Sequence, residues 1–157
     1  MARLKIHEFE LPGYVTNREW GVYIVVAKNS TNKKKNMYVG KLGDNNAGCN
    51  TIITRIGNHF SHNKVHSQVR NKINDVHKFD YKIFYITFGK YNVDFHSLDR
   101  AKINEAERRL NKIVQSKLPI KNIELLNPYK GNNFNDELLT MQEIQSLEDL
   151  VQSSLNC

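Results

Sequence analysis

The sequence predicts an α+β fold: a small antiparallel three-stranded sheet flanked by helices, a β-β-α-β-α core with an N-terminal extension and an extra C-terminal helix. Three observations predict it. Two apolar runs, WGVYIVVA and MYVGKL, are separated only by the polar stretch NSTNKKKN, which is a hairpin pattern, and strands joined by a hairpin are antiparallel. From Thr51 the apolar residues Ile52, Ile53, Ile56 and Phe60 shift to helical spacing. A third strand-like run, KFDYKIFYITFG, then arrives without the alternation of strand and helix that builds a parallel sheet.

Taken in order, residues 1–19 form an extension in which KIHEFEL alternates as a short strand before the Pro12-Gly13 turn. The hairpin strands follow, and GDNNAGCN is a loop of turn-forming residues. A second helix is expected over about 63–76, through Val65, Val69, Ile73 and Val76. After the third strand, SLDRAKINEAERRLNKIVQSKL is a long helix with Ser97 as its N-cap, closed by Pro119. The tail from Asn132 is an amphipathic helix, with Thr140 and Glu143 as a capping box ahead of Ile144, Leu147, Val151 and Leu155.

At 157 residues, 39% of them hydrophobic, the chain is expected to be a single domain. No apolar run is long enough for a membrane span, and MARLKIHEFELPG lacks the apolar segment of a signal peptide. Cys49 and Cys157 are far apart and form no CxxC pair, which speaks against a zinc ribbon or a disulfide scaffold and makes a cytoplasmic location the expectation. Charge is unevenly spread. All 23 Lys and Arg fall in residues 1–130 against 11 acids, a balance of +12, whereas residues 131–157 hold five acids and no base. A body so basic points to a polyanion, nucleic acid above all, with mere solubility as the plainer reading.

Several side chains could carry chemistry. Arg55 borders the apolar face of its helix, and His59 lies one turn on, on the same side. A guanidinium there offers a planar fork to phosphate oxygens, though a surface Arg with a chance neighbour fits the pair alone. His59, His62 and His66 are spaced as zinc ligands only if the helix runs on through Ser61 and Asn63, and no Cys, Asp or Glu is near. On the long helix Ile103, Ala106, Leu110, Ile113 and Val114 set the apolar stripe, with Glu107 within it or at its rim and Glu105 pointing away. A carboxylate so placed needs a cationic partner or a metal.

Tyr23 in GVY, Tyr38 in YVG, the R-x-x-x-H of Arg55 and His59, Glu107 in AERRL, and the P-x-x-N of Pro119 to Asn122 occur in one order. That set resembles the GIY-YIG nuclease family over roughly residues 20–122, with a lysine-rich connection between the tyrosines and an extended loop before Arg55 that look like the restriction-type and phage-type branches. The resemblance implies a metal-dependent endonuclease that hydrolyses phosphodiester bonds of DNA with one Mg²⁺ (or Mn²⁺) per site, held by Glu107. It implies that Arg55 clamps the phosphate, Tyr23 activates water, Tyr38 and His59 orient the phosphate or relay the proton, and Asn122 supports the site. Lys33, Lys34, Lys35, Lys41 and His62 are the expected nucleic-acid contacts, the lysines also lowering the pKa of Tyr23. Duplex DNA is the expected partner, and a homodimer would supply two cuts. A nucleic-acid-binding module of the same fold without catalysis, and an interaction scaffold docking through the acidic tail, are the rival readings. The tail helix either packs on its own domain, makes a dimer contact, or covers the basic face.

Overall fold

The structure is a computed structural model that describes residues 3–43 and 50–157. Most of the GDNNAGCN loop, with Cys49, lies outside the described residues.

Two long strands, β1 (Glu19–Asn29) and β2 (Lys35–Leu42), form the expected hairpin, with Tyr23 opposite Gly40 and Val25 opposite Tyr38. β3 (Phe79–Lys90) pairs antiparallel on the other side of β1. The sheet has a fourth strand that the apolar pattern did not reveal. β4 (Ile123–Leu125) pairs parallel with the start of β2, giving the order β3-β1-β2-β4. Three residues are too few to show a period, so this strand is defined by its neighbour rather than by its own sequence.

β1 is buried almost end to end because both of its faces are covered. One face carries Val22, Ile24, Val26 and Val39 against Ile103, Ala106, Leu110 and Val114 of α3 (His96–Lys117) and Leu147, Leu150 and Val151 of α4 (Met141–Leu155). The other carries Tyr23, Val25, Ala27 and Tyr38 against Ile52 of α1 (Ile52–Phe60) and Val69 of α2 (Gln68–Lys72). The acidic tail helix therefore packs on its own domain. Thr140 caps it, its side chain accepting from the Glu143 N–H while Glu143 accepts from the Thr140 N–H.

Four local expectations are corrected. KIHEFEL has no regular secondary structure, is exposed, and pairs with no strand of the described chain. The helix expected at 63–76 shrinks to five residues at Gln68–Lys72. Asn63 and Ser61 divert the preceding backbone into turns, with Asn63 accepting from the Val65 N–H and Ser61 from the Asn63 N–H, the local competition by which such residues interrupt helices. α3 begins at His96, so Ser97 lies inside it, and the entering turn is held by Asn92, which accepts from the Asp94 N–H. The tail helix starts at Met141, after turns, rather than near Asn132.

Candidate active site

Tyr23 of β1 lies opposite Gly40 of β2. A Cβ at its partner Gly40 would lie 2.3 Å from the tyrosine hydroxyl, so the glycine of YVG leaves the space the ring occupies. Tyr38 emerges on the same face two cross-strand pairs along. α1, capped by the Thr51 side chain accepting from the Thr54 N–H, then lays Arg55 and His59 over both tyrosines.

The contacts converge on one hydroxyl. Arg55 Nε donates to Tyr23 Oη over 3.3 Å, and Tyr23 Oη lies 2.5 Å from His59 Nε2. The phenol donates to Nε2 in the tautomer that carries the imidazole proton on Nδ1. That Nδ1 is buried with no hydrogen-bond partner. The Tyr38 ring meets His59 edge-on at 4.8 Å between centroids.

Burial, and then the Arg55 charge, lower the His59 pKa to about 4, so the imidazole is neutral at physiological pH and its bare ring nitrogen can accept a hydrogen bond. Burial raises the Tyr23 phenol above its ordinary value, and Arg55 opposes this through its charge and hydrogen bond. The expectation that neighbouring lysines depress Tyr23 is thus corrected: desolvation exceeds the cationic help, and that help comes from Arg55. Tyr38 is raised by burial in the same way, with Arg55 opposing.

Glu107 stands at the rim, 4.0 Å from Lys41 Nζ, and its charge is felt at both Tyr23 and Tyr38. Burial pushes its carboxyl up, against Lys41, Arg55 and Arg108. Its neighbour Glu105 reverses the sequence expectation, being the fully buried carboxylate of α3. Burial raises Glu105 too, but Arg108, Arg109 and the Asn135 N–H all donate to it and hold it below its ordinary value.

Tyr23, Tyr38, Arg55, His59, Glu107 and Lys41 are thus brought together. Asn122 is not. It is an exposed residue in the left-handed region, φ 68°, whose carbonyl accepts from the Lys35 N–H to start β4. Lys33 and Lys34 lie in the hairpin turn, at the opposite end of β2 from Gly40, and Lys34 pairs with Glu124. Lys35 donates to the carbonyls of Leu155 and Cys157 at the end of α4. His62 and His66 are exposed beyond α1.

Two residues of the surroundings escaped the sequence reading. Asn127 accepts from the Val39 N–H and donates to the Val39 carbonyl, fixing β2 between Tyr38 and Gly40. The Asn127-Pro128 dipeptide is a turn signal that could have drawn notice. Asn104, which accepts from Lys41 Nζ, carries no signal that sets it apart from other exposed helix positions. No family model, curated protein or solved structure matches the chain, so the reading of the site rests on its residues and geometry.

Proposed function

We propose that this chain is an endonuclease of the GIY-YIG kind that hydrolyses DNA phosphodiester bonds, with one Mg²⁺ or Mn²⁺ ion per site. The observation that carries this reading is the Tyr23 hydroxyl shared between Arg55 Nε and His59 Nε2. A phenol buried for packing alone needs one partner; this one has a cation beside it and a neutral imidazole aligned to take its proton.

The donor set fits the ion. Mg²⁺ is commonly held by one or two carboxylates and completed by phosphate oxygens and water, and Glu107 is a half-exposed carboxylate whose only close ion pair among the described residues is a long one. When bound, the ion supplies charge relief at the phosphate and the leaving oxygen. The chain's residues do the rest. Arg55 binds a non-bridging oxygen of the scissile phosphate and stabilises negative charge at Tyr23. As Tyr23 takes a proton from a water molecule, its own proton passes to His59, which then releases it to solvent. That water's oxygen forms a bond to phosphorus as the bond to the 3′ oxygen breaks, and the leaving oxygen is protonated from solvent. Tyr38 holds the imidazole edge-on and keeps it oriented.

The test is incubation of wild type and Glu107→Ala with supercoiled and linear duplex DNA, in Mg²⁺ or EDTA. Nicks or discrete fragments that need the ion and disappear in the variant are expected. DNA left intact by the wild type, yet retarded on a gel, would replace this reading by a binding module without catalysis.

A further inference from the structure

The described residues before Pro12 form an arm that the rest of the chain does not use. Leu4, Ile6 and Phe9 are 98%, 91% and 85% exposed, and no backbone group of residues 3–11 is hydrogen-bonded within the described residues. Three large apolar side chains so exposed within six residues mark the arm as a contact segment. A complementary vacancy exists elsewhere. β3 is the terminal strand of the sheet, so its outer edge is unpaired over twelve residues, and such an edge is a template for another strand. Beside it runs an open groove of about 500 Å³ lined by Ile86, Thr87 and Phe88 of β3 and Glu143 and Ser146 of α4.

We propose that residues 4–11 of a second copy of this chain add a strand to the outer edge of β3, in the groove beside α4, and that the exchange is reciprocal. Several observations choose this occupant. The arm carries Arg3 and Lys5 against Glu8 and Glu10, so it has no net charge; an arm for a polyanion would be basic. Its basic half suits α4, which carries Glu148 and Asp149 besides the Glu143 that pairs with Lys102, and no Lys or Arg. Its alternation suits a strand with two half-buried faces. Leu4 and Ile6 project to one side and Phe9 and Leu11 to the other, matching Ile86 and Phe88 on one face of β3 and Ile83 and Tyr85 on the other. The arm is rooted beside the same strand, where the Tyr14 ring lies 6.4 Å from that of Tyr85. Two copies set edge to edge about a two-fold axis therefore bring each root next to the other's open edge, closing the pair rather than running on as a filament.

Sedimentation of the full chain over a range of concentrations tests this. The wild type should reach twice 18.3 kDa. Leu4→Ser/Ile6→Ser/Phe9→Ser, which alters only exposed side chains, should raise the dimer dissociation constant on the order of a hundredfold or more with an unchanged circular dichroism spectrum. Ser146→Arg, on the exposed face of α4, should do the same. Mixed together, these two variants should form a heterodimer, since one intact arm meets one intact groove. A wild type that stays monomeric, an arm variant that dimerises normally, a Ser146→Arg without effect, or an arm variant that loses only DNA retention would each overturn the proposal. The readout is mass, so it is independent of whether the chain cuts DNA.

Discussion

The two faces of the central sheet are both covered by helices and are made of different chemistry. Under α3 and α4 the contacts are aliphatic, Val22, Ile24, Val26 and Val39 against Leu110, Val114, Leu147 and Val151. Under α1 the same two strands hold Tyr23 and Tyr38, and the helix sets His59 on them with Arg55 at the margin. Desolvation strengthens packing on the first face. On the second it works against charge, raising two phenols and lowering an imidazole. A fold gains nothing from keeping ionisable groups where ionisation is penalised, and that contrast is what makes the second face the candidate site.

Removing the hydroxyl that defines that face should have the largest effect. Tyr23→Phe keeps the ring over Gly40 and so keeps the packing. Cleavage should fall about a thousandfold, within the span ascribed to a positioned proton-transfer group, while the chain still folds and retains DNA on a gel. Near-normal cleavage by this variant would remove Tyr23 from the mechanism.

The next effect in size is on stability and appears only in acid. The His59 pKa is lowered from 6.5 to about 4 in the fold. Below pH 6.5 the unfolded chain therefore binds a proton that the folded chain refuses until about pH 4. Stability from this group is complete above pH 6.5 and declines as pH falls to 4, by about 3 kcal/mol in all. Urea unfolding of wild type and His59→Phe at pH 7, 5 and 4 checks this. The variant should lose less stability on acidification, and parallel curves would mean that His59 titrates normally.

A smaller change separates two glutamates of α3. Glu105→Gln loses charge from a fully buried site where Arg108 and Arg109 donate, and should reduce stability by about 2 kcal/mol, with cleavage per folded molecule unchanged. Glu107→Ala should do the reverse. A Glu105 variant that folds normally and fails to cut would exchange the two roles.

These two residues also show what the sequence could reveal. Helical spacing placed Glu107 within the apolar stripe or at its rim and pointed Glu105 away from it. It could not weigh the tertiary partners: Asn135, from the loop before α4, donates its backbone N–H to Glu105, a contact with no trace in local periodicity. The hairpin, α1, β3, α3 and the α4 capping box were readable because each has a long period or a specific cap. β4 and Asn127 were not, being defined by what lies beside them. Asn122 was singled out by its distance from Pro119 along the chain, whereas a left-handed turn leaves its side chain in solvent.

The hairpin lysines give the finest comparison, because sequence alone put them and Lys41 in one group. Lys34 and Glu124 are 49% and 58% exposed, so their ion pair contributes under about 0.5 kcal/mol, and Lys33 stands beside it in the turn. Lys41 instead faces Glu107 and lowers the pKa that burial raises there. Lys41→Ala should therefore leave Glu107 protonated to a higher pH and move the acid limb of the cleavage profile upward. Lys33→Ala/Lys34→Ala should leave that limb in place and, at most, weaken DNA retention at low salt. The two profiles, measured side by side, distinguish a lysine that tunes the site from lysines that only add field. If the hairpin variant shifts the limb as far as Lys41→Ala does, the long-range charge of the whole basic body sets the ionisation of Glu107, and its single neighbour does not.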